Sequence, residues 1–457
     1  MINLIGIALT CVVIIFCFAI VVKSIKERKI VSLLIVLFIF VFYYITTLNN
    51  LTFKVLSTIL LIPQIIFVTF VIFFFFKSIF KKKNKSFKSP LRDENLPFFS
   101  ILIATHNEEN VIEKTVSHLQ NLSYDKSLYD ITIVDDLSTD NTLNVLKNNS
   151  NKINLIDRKL LYEKVTKKGK AAAINDVIDS LKGDLVLVLD ADCLPEKEIL
   201  LKVYKYFQDE NIGVVQCRNT FYNERNNFVS LLTSIDIYSV QYAMYVPMSM
   251  LGFGMFEGRA GIFRKSIFKK LKGFDEILPG EDYDFTYRVA LAGFRVVYDE
   301  NITSSEQVTE TLQEWFIQRK RWLGNHVLSF FKNSKHLYKS DKLNKRKKIS
   351  MSFILFNLLF FFLFNFHGPL ILLNEFSYHS SYSLIFVGTF ILAVTLFIIP
   401  YFYHSKKLYL IVFIPFMIIY YWLFSIIETW VFINEKILKI NLLYKKASHR
   451  KPLVNEI

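Results

Sequence analysis

The stretch VLVLDADC, residues 186–193, decides the fold. Its first four residues are apolar, and a short apolar run bounded by polar residues is typical of a strand buried on both faces of a sheet. Asp190 and Asp192 follow directly, with the small Ala191 between them. In open α/β sheets, ligands gather at the carboxyl ends of the strands. We therefore expect these two carboxylates to face a ligand.

Two similar units precede this strand. The segment PFFSILIATHNEEN (97–110) predicts a buried strand, a loop and a helix that starts near Glu108. The segment DITIVDDLSTDNTLNVL (130–146) predicts the same order of elements. Apolar strands that alternate with helices are typical of a parallel, doubly wound sheet. The loops after the three strands then leave from one edge, so their polar residues should meet there.

Six apolar runs approach or exceed the roughly 20 residues that an α-helix needs to cross a bilayer. They are Asn3–Val22, Ile30–Leu48, Val55–Phe76, Met351–Asn374, Leu384–Tyr403 and Leu408–Phe432. The predicted organisation is three transmembrane helices in 1–76, a basic cytoplasmic linker at 77–96, a soluble domain at 97–312, interfacial amphipathic helices at 313–350, transmembrane helices in 351–432 and a basic tail at 433–457. The first run lacks a basic leading segment and a small-residue cleavage site, so we interpret it as an anchor.

The basic residues that flank the first and third runs predict the orientation. Short cytoplasmic flanks are enriched in Lys and Arg, which places the soluble domain on the cytoplasmic side of the inner (plasma) membrane of the cell. With three C-terminal spans, however, the basic tail would lie outside. One C-terminal run is therefore a candidate for a re-entrant segment, with a break at Gly368-Pro369.

Charge and cysteine content exclude other classes. The formal net charge of +15 lies largely in clusters next to the apolar runs, where anionic lipid headgroups are the nearer partner, so we expect no nucleic-acid binding. Cys11, Cys17, Cys193 and Cys217 form no CxxC pair, and we expect free buried thiols.

Two further motifs follow the Asp pair. LPGEDYDFTYRVALAGFRV (278–296) places Glu281 and Asp282 before a helix, and EWFIQRKRWLGN (314–325) contains the pattern Q-x-x-R-W. With THNEE, VDDLSTD, KKGKAAAIN and DAD, these motifs resemble in order and spacing the processive, membrane-embedded family 2 glycosyltransferases, the group that contains cellulose, hyaluronan, chitin and poly-N-acetylglucosamine synthases. The resemblance covers residues 97–332. It implies an α/β, Rossmann-like nucleotide-diphospho-sugar transferase domain of the GT-A type, inserted between transmembrane helices.

The resemblance also implies roles for individual residues. The nucleoside pocket and donor site would be formed by Thr105, Asn107, Glu108 or Glu109, Asp135, Asp136, Lys170 and Asp190. Asp190 and Asp192 would hold a divalent cation, Mg2+ or Mn2+, with Asp192 most directly on it. Glu281 and Asp282 would be the catalytic carboxylates, with Asp282 as the base. Gln318 would belong to the substrate site, Arg321 would face the diphosphate, and Trp322 would offer its ring to the acceptor sugar.

Elementary chemistry agrees with these roles. Departure of a nucleoside diphosphate develops negative charge, which a metal ion and a cation such as Arg321 stabilise. The attacking hydroxyl must lose its proton, which calls for a carboxylate within hydrogen-bond reach. One base and no covalent intermediate give inversion, and hence a β-linked product from an α-linked donor.

The sequence departs from the family pattern at three positions. His106 stands where Tyr is commoner, Leu137 where Gly is usual, and Gly280 where many relatives have Thr. None of the three removes a charged group that the mechanism needs.

Several residues also allow a purely structural interpretation. Asp282 could cap the following helix, Lys170 could be a solvated charge, and Arg321 with Trp322 could be juxtamembrane anchors. Glu257 and Arg259 in FEGRAG (256–261) are either an internal ion pair or a wall of the acceptor site.

The sequence thus predicts an inverting, metal-dependent hexosyl- or N-acetylhexosaminyl-transferase of the inner membrane. It would take a nucleotide sugar, most simply a UDP-sugar, and polymerise and export a β-linked polysaccharide. The alternative within the same chemistry is transfer of one sugar to a membrane lipid. A rival from another class is a transporter whose cytosolic domain only senses nucleotide sugars.

Overall fold

The computed structural model of the protein describes residues 50–80, 96–149, 151–161, 169–278, 280–378 and 382–434. The chain divides into two compact units, one with residues up to Phe70 and Leu355–Val394, the other with Val71–Ile354 and the residues from Thr395 onward. The first two apolar runs, Cys11, Cys17, most of the basic linker and the basic tail lie outside the described residues.

The second unit is built on a mixed sheet of eight strands in the order β3-β2-β1-β4-β7-β6-β8-β5. The strands are β1 (Phe99–Thr105), β2 (Tyr129–Asp135), β3 (Asn154–Asp157), β4 (Leu185–Leu189), β5 (Leu194–Pro195), β6 (Ile212–Phe221), β7 (Gly261–Arg264) and β8 (Arg295–Glu306).

The helices of the described residues alternate with the strands at first and then dominate the chain. They are α1 (Asn50–Ile79), α2 (Ile112–Leu119), α3 (Thr142–Asn148), α4 (Arg158–Leu161), α5 (Lys170–Val177), α6 (Ile199–Tyr204), α7 (Phe228–Val240), α8 (Val246–Met250), α9 (Lys265–Lys270), α10 (Glu281–Leu291), α11 (Leu312–Lys339), α12 (Lys345–Tyr378), α13 (Tyr382–Ser405) and α14 (Ile414–Phe432).

The parallel half of the sheet places three loops at one edge. β1 pairs in parallel with β2 and with β4, and the registers set Thr105 beside Asp135 and Ile103 beside Leu189. The loops that follow β1, β2 and β4 therefore leave from neighbouring positions, as predicted. The stretch that follows β4 carries Asp190 and Asp192 to this edge.

The prediction of a parallel sheet is wrong for β7 and β5, whereas β6 and β8 again pair in parallel. Strand β7 pairs antiparallel with both β4 and β6. The turn before β7, residues 257–260, lies near the carboxyl end of β4, because the Gly258 carbonyl accepts a hydrogen bond from Lys170, whose ammonium also pairs with Asp190. The register sets Gly261, the first residue of β7, beside Val188 near the end of β4, so β7 starts at the edge where β4 ends and runs in the opposite direction.

Both faces of the sheet are packed, which explains the apolar run in VLVLDADC. Leu187 and Leu189 belong to one buried cluster, together with residues of β1, β2 and α2. Val186 and Val188 belong to the other, together with Phe263 and residues of α5 and α10. Since successive side chains of a strand point to opposite faces, a strand covered on both sides needs apolar residues at every position.

Four helices of the described residues are long and apolar enough to cross a membrane. The apolar segments are Leu61–Ile79, Lys345–Asn365, Ile385–Ser405 and Leu408–Phe432. They correspond to the last four of the six predicted runs. Helix α12 continues through Gly368-Pro369, so the break considered there is not present. A continuous helix keeps its backbone groups paired, which lipid requires.

Within the second unit, helix α14 is joined to α7 and α11 by buried polar contacts. The Trp315 indole N–H of α11 donates to the Tyr420 hydroxyl of α14 (2.6 Å), and that hydroxyl donates to Asp236 of α7 (3.0 Å). Asp236 also forms an ion pair with Arg319 of α11 at 2.9 Å. Trp315, Arg319 and Asp236 are all at most 5% exposed. The three helices therefore share one polar interior.

Candidate functional site

The loop after β1 is bonded to the loop after β2. Asn107, whose φ is +59°, accepts a hydrogen bond from the Thr139 amide through its side-chain oxygen (2.7 Å). The Glu109 carboxylate accepts from the Asn141 amide (2.9 Å), and the Thr105 hydroxyl donates to the Val134 carbonyl (3.3 Å). These side chains lie at the predicted edge, and their polar atoms hold the two loops together.

The same loop contacts displace the start of helix α2. The buried Glu108 donates its amide to the Thr142 hydroxyl (2.7 Å), and the helix begins only at Ile112. The prediction of a start near Glu108 is wrong by four residues, because residues 106–111 serve the loop.

The two carboxylates that end β2 have different environments. Asp136 forms an ion pair with Arg158 and accepts a hydrogen bond from the Gly169 amide at 2.6 Å. Asp135 is 1% exposed and accepts from the Ser138 amide through Oδ2 (3.1 Å). Among the described residues, nothing hydrogen bonds to its Oδ1. Asp135 therefore has one buried acceptor atom without a partner among the described residues, whereas both oxygens of Asp136 are bonded.

Arg158 was not predicted from the sequence. Its side chain is 2% exposed and is bonded to Asp136 and, through Nε (2.9 Å) and Nη2 (2.6 Å), to Asp176 of α5. The signal was present but weak. Arg158 follows directly on β3, whose register sets Asp157 beside Asp135 at the same sheet edge.

Lys170 connects the segment that follows β4 to the turn before β7. Its ammonium forms an ion pair with Asp190 and donates to the Gly258 carbonyl (2.6 Å). Burial alone would lower the pKa of Lys170, but the charges of Asp190, Glu281 and Asp282 outweigh it and raise the pKa. Lys170 stays charged and paired, so its interpretation as a solvated charge is wrong.

Asp192 lies in a buried group with Cys193 and Glu306. One possible ligand atom from each residue lies within 4.8 Å of the others. Asp192 also accepts a hydrogen bond from the backbone N–H of Gln307 (2.9 Å). Hard cations prefer oxygen ligands, which the two carboxylates provide. Burial, and then the charge of Asp192, raises the pKa of the Cys193 thiol well above its ordinary value, so the thiol is a poor ligand.

These residues fit a divalent cation through Asp192 and Glu306, with Asp190 two positions away. Glu306 was missed by sequence reasoning, because TSSE at the end of β8 is an ordinary polar stretch. Its carboxylate pairs with the Arg259 guanidinium at 2.6 Å.

The predicted base lies in the first turn of helix α10. The Asp282 oxygen Oδ1 accepts hydrogen bonds from the side-chain N–H of Asn325 (2.7 Å) and from the backbone N–H of Tyr283 (2.9 Å). The N-cap residue is Gly280, so Asp282 lies in the first turn and not at the cap, although it does accept from one backbone amide of that turn.

Burial raises the pKa of Asp282 above its ordinary value, although its hydrogen bonds and the charges of Lys170 and Arg321 act in the opposite direction. Burial, and then the charge of Asp282, also raises the pKa of Glu281. Two neighbouring carboxyls in one buried place thus resist ionising together.

Helix α11 carries the Q-x-x-R-W residues. Among the described residues, no hydrogen bond reaches Oε1 of Gln318 or Nε of Arg321, although both atoms are buried. Buried polar atoms without partners are rare in folded proteins and call for an explanation such as a ligand. The charge of Arg321 acts on both Glu281 and Asp282.

The ring of Trp322 contacts the guanidinium groups of Arg259 and Arg319. The guanidinium carbon of Arg259 lies 5.0 Å from the centre of its ring, and that of Arg319 lies 4.6 Å away. Arg259 also pairs with Glu257 (3.9 Å). The ion pair, one of the two alternatives for FEGRAG, is therefore present, and the Arg259 side chain lies against Trp322.

The structure brings most of the predicted site residues to one place. The charge of Lys170 interacts with those of Asp190, Glu281 and Asp282, and Arg321 interacts with the last two. Glu306 lies beside Asp192 and pairs with Arg259, which contacts Trp322. The arrangement offers cations and carboxylates on one side and a buried carboxylate on the other, which is what displacement of an anionic leaving group by a hydroxyl requires.

Comparisons with known proteins agree with this arrangement. A β-monoglucosyldiacylglycerol synthase from Nostoc sp. is 31% identical over 50% of this chain and 48% of its own length. A poly-β-1,6-N-acetyl-D-glucosamine synthase from Staphylococcus aureus is 27% identical over 58% of this chain and 63% of its own length. The chain thus spans about half to three-fifths of these curated relatives.

The fold is that of the GT-A glycosyltransferases. A mannosyltransferase from Pyrobaculum calidifontis, solved in complex with GDP-Man and Mn2+, superimposes with a TM-score of 0.59 over 77% of this chain and 98% of its own, at 18% identity. The family described as "Glycosyltransferase like family 2" matches residues 97–325, half of the sequence. The chain belongs to this family of glycosyltransferases.

Proposed function

We propose that this protein transfers a sugar from a nucleotide sugar to an acceptor hydroxyl with inversion at the anomeric carbon. The observation that carries the proposal is the position of Asp282. Its carboxyl is buried, its pKa is raised by that burial, and Lys170 and Arg321 lie within electrostatic reach. Such a base binds a proton more strongly than a solvated Asp, while Lys170 and Arg321 favour its ionised form.

The reaction follows from this arrangement. The acceptor oxygen attacks the anomeric carbon as Asp282 takes the hydroxyl proton. The bond between that carbon and the diphosphate oxygen breaks, and its electron pair leaves with the diphosphate. Arg321 and Lys170 stabilise the charge that develops there. A divalent cation bound by Asp192, Asp190 and Glu306 would neutralise further charge on the diphosphate.

The donor and its pocket follow from the same edge of the sheet. Asp135 has the free acceptor atom that a donor N–H of a nucleobase or a ribose hydroxyl requires. The product names of the two relatives contain glucosyl and N-acetylglucosamine groups. We infer a hexosyl- or N-acetylhexosaminyl-transferase that uses a UDP-sugar on the cytoplasmic side of the plasma membrane.

The proposed acceptor is a growing β-linked polysaccharide that the protein also exports. Two observations support it: four helices apolar enough to span a membrane and the similarity to a poly-N-acetylglucosamine synthase. The second candidate is a membrane lipid that receives one sugar. The similarity to a β-monoglucosyldiacylglycerol synthase favours it.

A screen of nucleotide sugars tests the proposed chemistry. We expect the purified protein in detergent, supplied with a membrane lipid extract, to release nucleoside diphosphate from one class of donor. EDTA should abolish the release and Mg2+ or Mn2+ should restore it, and the new linkage should show the β configuration in NMR spectra. Retention of the α configuration would contradict the assignment of a single base.

The product distinguishes the two acceptors. With radiolabelled donor, polymerisation should give a ladder or smear that excess donor lengthens and a specific glycan hydrolase shortens. Transfer to lipid should give one glycolipid that moves as a single spot in thin-layer chromatography and does not grow with time. A single spot would overturn the polysaccharide proposal and leave the proposed chemistry intact.

A further inference from the structure

Asn325 of helix α11 reaches across to the proposed base. Its side-chain N–H donates to Oδ1 of Asp282 at 2.7 Å, and its side-chain oxygen accepts from the Ser329 hydroxyl at 3.0 Å. The residue is 4% exposed. Both ends of the carboxamide are therefore bonded, which fixes its orientation toward Asp282.

Gly280 provides the space that this carboxamide occupies. A Cβ atom built on Gly280 would overlap the Asn325 carboxamide. The φ of Gly280 is −157°, an extended conformation that any residue adopts, so the backbone itself does not require glycine. The glycine is needed only because Asn325 fills the position where a side chain would be.

Asn325 is one of three polar residues spaced four apart on the face of α11 that meets α10. Ser329 follows it, and Asn333 donates to Asp284 of α10 at 2.9 Å. Their exposures are 4%, 0% and 5% in chain order. Residues at i and i+4 lie on one side of a helix. This polar seam therefore ties the helix that bears Asp282 to the helix that bears Gln318, Arg321 and Trp322.

The second oxygen of Asp282 has a different surrounding. Among the described residues, no hydrogen bond reaches Oδ2, and the nearest turn is at Gly258, where a built Cβ would lie 3.4 Å from it. The charged groups that face the carboxylate are Lys170, Arg321, Glu281 and Glu257. One oxygen is thus held by Asn325, and the other is available to take a proton.

We propose that Asn325 is a positioning residue that orients the Asp282 carboxylate for proton transfer, and that Gly280 is its necessary counterpart. This inference rests on the proposed function. An amide N–H stabilises the ionised carboxylate more than the neutral acid. It also fixes rotation of the carboxylate, so that Oδ2 faces the place of the acceptor hydroxyl. Asn325 and Arg321 lie four residues apart on the same helix, α11. The hydrogen bond from Asn325 to Asp282 therefore also keeps the base at a constant distance from Arg321.

The test compares the pH dependence of kcat/KM for the wild type, Asn325→Ala, Gly280→Ala and the double variant. Loss of the hydrogen bond raises the pKa of Asp282 further, so the acid limb of the profile should move to higher pH by about one unit in each single variant. Because the alanine at 280 acts only by displacing Asn325, it should add nothing in the Asn325→Ala background. KM for the donor should change less than kcat.

Asn333→Ala is the matched control. It removes an equivalent amide from the same seam, and Asp284 keeps its contacts with Arg288 (2.6 Å) and Lys332 (2.9 Å). Its thermal stability should fall while its acid limb stays at the wild-type position. Should Asn325→Ala fail to fold, Gly280→Ala probes the same contact from the other side.

Three results would overturn the inference. They are an unmoved acid limb in Gly280→Ala, effects of the two substitutions that simply add, and an equal shift in Asn333→Ala. A wild-type protein that releases no nucleoside diphosphate from any donor would instead contradict the proposed function, so the two failures are distinguishable.

Discussion

Replacing Asp282 by Asn should lower the turnover of nucleotide sugar by a factor of about 10²–10⁴, the range that a positioned general base supplies. The substitution keeps the size of the side chain and removes its ability to take a proton. Nucleoside diphosphate release measures turnover, and titration of the donor in the same detergent measures binding. Donor affinity should stay near that of the wild type, because Lys170 and Arg321 remain in place.

Asp275→Asn is the control for this substitution. Asp275 lies in the loop before α10, is about a quarter exposed and pairs with Lys332 at 2.6 Å. Its replacement should leave turnover close to the wild-type value. Equal turnover in wild type and Asp282→Asn would refute the assignment of the base. Such a result would favour a domain that senses nucleotide sugars and does not transfer them.

Replacing Arg158 by Ala should lower the free energy of unfolding of the second unit, which contains the sheet, by about 3–5 kcal/mol. The substitution leaves two carboxylates, Asp136 and Asp176, without the guanidinium that bridges them, and their side chains are only 7% and 19% exposed. A charge that is buried and unpaired is far more costly than a buried pair. Thermal and chemical denaturation of the purified protein would measure the loss.

Lys269→Ala is the matched control for Arg158→Ala. Lys269 also pairs with an aspartate, Asp179, at 2.6 Å, but the two side chains are 53% and 72% exposed. Such surface pairs contribute about 1 kcal/mol or less. Similar losses of unfolding free energy in the two variants would show that the Arg158 site is solvated and contributes no more than a surface ion pair.

The parallel half of the sheet could be predicted from the sequence because its strands are covered on both faces. The run from Val186 to Leu189 has no polar position, which is typical of a strand inside a two-sided layer. Once three such strands are parallel, their loops must leave from one edge. Lys170, Asp190 and Asp282 belong to motifs with recognisable spacing, and they lie together in the structure.

The direction of β7 could not be predicted in this way. Strand β7 has four residues, and it pairs antiparallel with β4 and β6, which are distant from it in sequence. Local periodicity contains no information about such a contact. The same holds for Glu306, whose neighbours are ordinary polar residues and whose partner Arg259 is distant in sequence.

Arg158 and Asn325 could be predicted in part, because the sequence marks their positions but not their partners. Arg158 directly follows a strand, and Asn325, Ser329 and Asn333 recur every fourth residue on a helix with apolar neighbours. Both patterns hint at a buried polar function. The partners, Asp176 and Asp282, become evident only when the helices are packed.

The hydrogen bond between Trp315 and Tyr420 indicates that the folded enzyme domain extends into helix α14. A shortened, water-soluble protein cut before α14 would expose the Trp315 ring and leave Asp236 with one contact fewer. This segment, which has the composition of a membrane span, thus also packs against α7 and α11 through buried polar groups. We therefore expect a fragment without residues 414–432 to unfold at a lower temperature than the full chain.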